Sequence, residues 1–325
     1  MMNSLDRFFK TELSFEKWHG ARNDFLFVRL TDFVSSMSGP ANPETVAEIA
    51  VELCHRNIGI GSDGLVVWEF DTSQGATFAG IWNSDGSRAQ TCGNALRCLA
   101  SLLFSKKIWA GAESLQIKEI VWSENVFVPG ERSFAALLEA KQSNSFGEYT
   151  AAVEMGHVVE HRGGMLEAFR RCSSHIENQE LLSKVVAVSF VQLANPHLVL
   201  QIAPGCFENL TLNEISEMGR FLQLQEICKQ LNIPLSNIGF VEVSESPSSH
   251  PLNAVVYERG AGLTHCCGSG GCAMRVALNA TRIKELTGTL ALKMPGGVIE
   301  ISEKENELIL KGPAQLVAQL RTSSH

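Results

Sequence analysis

Apolar positions along this chain fall into short alternating runs and into longer stretches at helical spacing, and the changes from one to the other mark its elements. The run Asp24-Phe-Leu-Phe-Val-Arg-Leu30 predicts an early strand, and residues 44–56, opened by Pro43, predict an amphipathic helix. Residues 77–83 read as a strand, Ser84-Asp85-Gly86-Ser87 as a turn, and 92–106 as an apolar helix. Strand-like runs follow at 114–128 and 135–138, and the polar stretch 141–148 is the best candidate for a domain linker. In the second half, strands are predicted at 151–159, 185–194, 238–243 and 254–258, and a helical stretch at 212–231. Residues 246–250 read as a loop and 267–280 as a second apolar helix, with closing strands near 288–293 and 307–311.

That order conceals a repeat. Asn57-Ile-Gly-Ile60 returns as Asn237-Ile-Gly-Phe240, and Asn23-Asp-Phe-Leu-Phe-Val28 has a counterpart in Asn195-Pro-His-Leu-Val-Leu200. Cys92-Gly-Asn, which opens the first apolar helix, returns as Cys267-Gly-Ser at the start of the second, 267 − 92 = 175 positions on. A strand ends nine positions before each cysteine, at Asn83 and at Glu258. Three matches in one order at nearly constant offset imply two homologous halves of roughly 150 residues. The fold class expected is α+β: two pseudo-symmetric lobes, each a mostly antiparallel β structure around one central apolar helix.

Composition narrows the function. Thirty-five Asp and Glu against 27 Lys and Arg give a net charge of −8, with no basic cluster, which argues against a nucleic-acid partner. No apolar run is long enough to span a membrane, and residues 1–18 carry Asp6, Glu12 and Glu16 with no apolar core of a signal peptide. The expectation is a soluble, cytoplasmic protein whose nine cysteines are reduced thiols.

Two of those thiols stand apart. A cysteine at the first turn of a helix faces backbone N–H groups without internal partners and the positive end of the helix dipole, both of which favour thiolate. The glycine after each cysteine lets a ligand approach the backbone, and a helix N-terminus binds carboxylate without a dedicated cation. Two such helix starts facing one another across an interdomain cleft place a thiol on each side of one carbon. One removes a proton, the other delivers one to the opposite face, and a stereocentre inverts without a cofactor. Cys54, Cys98, Cys172, Cys206, Cys228 and Cys272 read as small apolar side chains, and Cys266 as a bystander of its neighbour Cys267. No C-x-x-C pair exists, so no metal site is expected. Glu258 and Arg259, after a strand and before the second helix, are suited to an ammonium and a carboxylate. The glycines of Gly59-Ile-Gly-Ser-Asp-Gly64 are not followed by the lysine of a phosphate loop. His19 and His197, beside the repeated Asn motifs, read as orienting or structural.

The set His19-Gly-Ala-Arg-Asn-Asp-Phe25, Gly59-Ile-Gly-Ser-Asp-Gly64, Asn83-Ser-Asp-Gly-Ser87, Cys92-Gly-Asn-Ala95, Asn195-Pro-His197, Glu258-Arg-Gly-Ala-Gly262 and Cys267-Gly-Ser-Gly270 resembles the diaminopimelate epimerase family. Arg22 stands where the family motif has glycine, Leu263 where glutamate is common, and Gly64 where some members have glutamine. The resemblance implies a cofactor-independent isomerase that interconverts LL- and meso-diaminopimelate, on the route to lysine and peptidoglycan. It implies lobes at 1–148 and 149–311 with the segment from about 312 to 325 returning to the first, the active site between them, and a homodimer. Carried over by position, Cys92 and Cys267 are the acid and base. Gly93, Asn94, Gly268 and Ser269 hold the reacting carboxylate and Asn23 the reacting end; Asn83, Asn195, Asn237, Glu258 and Arg259 grip the distal end. The only partner expected is a small amino-acid substrate. The alternatives are another cofactor-free racemase, acting on proline, hydroxyproline or glutamate, and an inactive amino-acid-binding descendant.

Overall fold

The computed structural model describes residues 8–39, 41–89, 91–123, 126–144, 147–173, 179–244, 250–281 and 288–322. The chain divides into two compact units, one running to Glu154 and resuming at Pro313, the other Met155–Gly312.

In the first unit, β1 (Ser14–Gly20) and β2 (Asn23–Arg29) form a hairpin. Helices α1 (Leu30–Ser36) and α2 (Pro43–Cys54) carry the chain back, so that β3 (Gly64–Asp71) lies parallel to β2 with Phe25 opposite Gly64. Asn42 caps α2 by accepting from Thr45 N, and Pro43 occupies its first turn, as the sequence signals require. Strand β4 (Ala76–Asn83) is antiparallel to β3, and α3 (Gly93–Ser105) returns the chain to β5 (Leu115–Ser123), parallel to β4. The strands β6 (Val126–Gln142) and β7 (Glu148–Glu154) continue as a meander. The order β1 to β7 is completed by β16 (Glu307–Arg321), which also pairs with β1 from Ser14↔Arg321 to His19↔Gln315 and closes an eight-stranded barrel. Closure leaves the described strands of this unit no free sheet edge.

Helix α3 is buried from Gly93 to Leu103 and packs against β1, β2, β6 and β7. A helix apolar on every side needs cover on every side, which the barrel supplies. Leu96, Leu99, Leu102 and Leu103, at 0–1% exposure, each contribute on the order of 1.5–3 kcal/mol by burial. The outward faces of β2 and β3 pack through Leu26, Val28, Leu65 and Val67 against Phe33, Val46, Ile49 and Leu53 of α1 and α2.

The second unit repeats the pattern. After β8 (Glu160–Arg162), α4 (Leu166–Ser173) and α5 (Gln179–Ser183), the strands β9 (Val185–Gln192) and β10 (Pro196–Ile202) are antiparallel. Helices α6 (Leu212–Leu222) and α7 (Gln225–Gln230) lead to β11 (Asn237–Glu242), parallel to β10 with His197 opposite Asn237. Antiparallel β12 (Leu252–Glu258), the short β13 (Gly262–Thr264) and α8 (Gly268–Ala280) follow. Strand β14 (Leu290–Met294) is parallel to β12, and β15 (Gly297–Lys304) and the first part of β16 complete the sheet. One face of that sheet packs on α8, which touches β9, β10, β11 and β15. The other carries Phe190, Leu198, Leu200, Ile238 and Phe240 against Phe169, Ile215, Met218, Leu222 and Ile227 of α4, α6 and α7.

The register confirms the repeat and corrects one of its anchors. Thr77 pairs with Ile117 as Leu252 pairs with Leu292, each residue 252 − 77 = 175 positions from its counterpart, the offset of the two cysteines. Asn57, however, is not the counterpart of Asn237. It is exposed in the turn after α2, whereas Asn237 opens the strand parallel to β10, a place held in the first unit by Gly64. The shared Asn-Ile-Gly is coincidental.

Other expectations shift. The polar stretch 141–148 is a hairpin connection, because Lys141 and Gln142 pair with Thr150 and Tyr149. The helix expected over 212–231 breaks at Gln223 and Leu224. In an unbroken helix Leu222 and Ile227 would point about 140° apart at 100° per residue; the break lets both reach one core. The loop at 246–250 falls, apart from His250, outside the described residues, as does residue His175. Among the described residues no helix is long and apolar enough to cross a membrane.

Candidate active site

Each apolar helix begins at a cysteine held in extended backbone: Cys92 has φ −143° and ψ 105°, Cys267 φ −120° and ψ 108°. Both stand at the N-cap, where Ser, Thr, Asp or Asn ordinarily satisfies the helix amides, and neither makes a side-chain capping bond. Without a full capping bond, each helix start remains open to an incoming acceptor.

In the first unit Cys92 is half-buried, and Gly93 and Asn94 behind it are buried. The β1–β2 turn lies against this helix start: a Cβ on Gly20 would stand 3.0 Å from the Asn94 carbonyl. The turn runs through Ala21 and Arg22 at φ of 51° and 68° and delivers Asn23, whose Oδ1 is buried with no partner among the described residues. Arg22 thus occupies left-handed backbone, which explains the family's glycine there. Next to Asn23, Asp24 accepts from Arg56 at 2.8 Å and pairs with Lys17 at 2.9 Å, while Arg56 also holds Asp63 at 2.7 Å. Burial pulls the Asp24 pKa upward, but hydrogen bonds from Arg56 and Lys17 outweigh it and hold the group at about 2. Burial and the neighbouring Asp24 charge push Asp63 up. Asn83 ends β4 opposite Gly64 and donates to Ser87 Oγ at 2.9 Å, and Ser84 N donates to Asp63 O. A Cβ on Gly64 would lie 2.6 Å from the Trp82 carbonyl, so a glutamine does not fit this backbone.

In the second unit, Cys267 is buried with its Sγ 3.5 Å from Ser269 Oγ. Burial first, then the negative charge of Glu258, pushes this thiol well above its ordinary range, with Ser269 and the Gly270 amide acting in the opposite sense. Glu258 accepts from Thr264 Oγ1 at 2.6 Å. Asn237 accepts from Arg259 N at 2.9 Å, and the Arg259 guanidinium reaches Leu235 O at 3.3 Å and Asn195 Oδ1 at 3.5 Å. His197, on the next strand, is fully buried with neither ring nitrogen partnered among the described residues, and burial holds its pKa down at about 3. The structure therefore groups Asn23, Asn94 and Cys92 in one unit. In the other it groups Asn195, Asn237 and Arg259, and separately sets Glu258 and Ser269 beside Cys267. Among the described residues no cluster of three or more His, Cys, Asp or Glu is placed to hold a metal ion.

A sequence model of the family described as diaminopimelate epimerase matches residues 15–117 and 189–317, spans that contain both cysteine helices. The chain belongs to the diaminopimelate epimerase family. Its relatives include the diaminopimelate epimerases of Natranaerobius thermophilus, 30% identical over 94% of this chain and 96% of that protein, and of Xanthomonas oryzae pv. oryzae, 32% identical over 94% of each. Members of the family are isomerases. The fold is shared by a predicted epimerase from Pseudomonas aeruginosa, with a TM-score of 0.65 at 11% identity over 96% of this chain and 100% of that one. A hydroxyproline epimerase from Agrobacterium vitis shares it too, with a TM-score of 0.58 at 10% identity over 97% and 93%.

Sequence reading passed over two features of this diaminopimelate epimerase family site. Arg97, five residues beyond Cys92, is fully buried, and the Asp24–Arg56–Asp63 group braces the strand starts that carry Asn23 and Gly64. The signal for the second was present, since Asp24 and Asp63 both lie within the motifs that carry the family resemblance. An arginine in the middle of an apolar helix gave no comparable signal.

Proposed function

We propose that the protein interconverts LL- and meso-diaminopimelate by a two-thiol acid and base reaction without a cofactor. The observation that carries this reading is the pair of cysteine N-caps, each followed by glycine on a buried thirteen-residue helix and each lacking a capping bond. In the proposed reaction the Cys92 thiolate takes the α-proton, becoming a thiol, and Cys267 gives its proton to the opposite face of the carbanion, becoming a thiolate. The assignment of roles follows environment. Burial and Glu258 keep Cys267 protonated in the resting protein, which makes it the donor, whereas Cys92 is half-buried at a helix start that favours thiolate. Backbone amides of Gly93, Asn94, Gly268 and Ser269 would receive the reacting carboxylate, with Asn23 beside them. The cluster of Asn195, Asn237 and Arg259 supports a substrate with a second amino-acid head group, because a guanidinium flanked by amide side chains matches a carboxylate with its neighbouring ammonium.

The test is reduced protein with LL-diaminopimelate in D₂O, followed by NMR. Loss of the α-proton signal together with appearance of the meso isomer supports the reading, as does its disappearance in Cys92→Ala and Cys267→Ala. A single mutant with full turnover overturns the two-base reaction, and turnover of proline or glutamate but not diaminopimelate overturns the substrate.

A further inference from the structure

Arg97 is an unusual residue for its place. It lies in the middle of an apolar helix at 0% exposure, and no carboxylate among the described residues forms an ion pair with it. Among the described residues its guanidinium meets only neutral acceptors: NH2 donates to Asn94 Oδ1 at 2.8 Å and Nε to the Pro313 carbonyl at 3.4 Å, while NH1 is buried with no partner among them. A buried cation without an anion costs folding free energy, and a methionine or leucine would fill this volume without that cost.

The side chain is turned back toward the start of α3. Arg97 is five residues from Cys92, about 7.5 Å along the helix axis, and helical side chains lean toward the N-terminus. The bond to Asn94 and the approach of NH2 to within 3.2 Å of a Cβ placed on Gly20 both put the guanidinium behind the first turn. We propose that Arg97 is a positioning residue for the reaction: it holds Asn94 and sets a fixed positive charge behind the first turn of α3, where that charge stabilises the Cys92 thiolate and the substrate carboxylate. The anion missing from among the described residues around it is the one that the reaction brings. This role rests on the two-thiol reading above and extends it to a residue that does not itself touch substrate.

The test reads the thiol directly, in full-length substrate-free protein. The rate of iodoacetamide modification of Cys92, located by peptide mass spectrometry, is measured from pH 5 to 10 in the wild type, Arg97→Gln and Arg97→Lys. The expected wild-type midpoint lies below the ordinary thiol value of about 8.5. Arg97→Gln raises it by about one pH unit or more, a roughly tenfold slower reaction near neutrality. Arg97→Lys keeps the midpoint near wild type but raises KM for diaminopimelate, because an ammonium cannot reproduce the fork that holds Asn94. A folded Arg97→Gln protein with the wild-type profile overturns the proposal. If that variant does not fold, a wild-type midpoint at or above 8.5 overturns it alone. Because the thiol titration uses no substrate, wild-type protein inactive on diaminopimelate would remove the functional reading while leaving the titration to decide this one.

Discussion

The backbone N–H of Arg259 donates to Asn237 Oδ1 at 2.9 Å, so the side chain that opens β11 fixes the backbone where β12 ends. Asn237 is only 5% exposed, and its removal strands a donor beside the charged head of Arg259. Asn237→Ala is expected to cost about 1–3 kcal/mol in urea unfolding and to raise KM for diaminopimelate more than it lowers kcat.

Gly270 gives Cys267 its room. A Cβ there would stand 2.7 Å from Val256 Cγ2 and 3.3 Å from Cys267 Sγ. Gly270→Ala must push the thiol aside or open the β12–α8 contact, with an expected loss of about 1–3 kcal/mol in stability. Turnover in the α-proton exchange assay is expected to drop at least tenfold.

Arg22 sits at φ 68° directly before Asn23. Arg22→Gly relieves the left-handed strain at some cost in unfolded-chain entropy, for a net gain of about 0.5–1 kcal/mol in stability measured by urea unfolding. A stability equal to or below wild type would contradict this account of the turn.

The Asp24 group predicts an acid dependence. Its folded pKa, about 2 against a model-peptide value of 3.8, is depressed. The stabilisation is therefore complete above about pH 4 and is lost as pH falls toward 2, about 2 kcal/mol in all. Asp63, raised mainly by burial, acts with the opposite sign and recovers some stability as it protonates. Asp24→Asn should lower stability at pH 7 and flatten its fall between pH 4 and 2, read by urea unfolding at each pH.

Glu258 keeps the Cys267 thiol protonated, second only to burial. Glu258→Gln should lower that thiol's pKa without bringing it to the ordinary range. Iodoacetamide modification of Cys267 near pH 8 should quicken about three- to tenfold, a shift of roughly half to one pH unit. An unchanged rate would mean that burial alone sets this thiol.

Much of the fold was legible because the repeat wrote it twice. The two cysteine helices and the strands that precede them carry plain apolar runs. β1 was not legible: Glu16 and Lys17 interrupt its alternation, and Glu16 is half-buried, pairing with Lys106 and accepting from Trp18 Nε1 at 2.9 Å. β16 was cut short at residue 311 because Gly312-Pro313 reads as a breaker. The structure passes Pro313 at a gap between two ladders, after Lys311 has paired with Glu300 and before Gln315 pairs with His19, so its missing N–H costs nothing. Arg97 was invisible for another reason: a charge in an apolar helix means something only once its neighbours are known.

The strand that closes the first barrel is translated only after the whole second unit. Residues 14–154 emerge with β1 and β7 at hand, but the partner that joins them, residues 314–321, follows only after the whole second unit. At about 5–20 residues per second, the nascent first unit spends roughly ten to thirty seconds with two bare edges. Unpaired edges are where strands of neighbouring chains add on. A ribosome-bound fragment ending before residue 313 should therefore engage chaperones and aggregate, while a chain that includes residues 314–321 seals the barrel with its own strand.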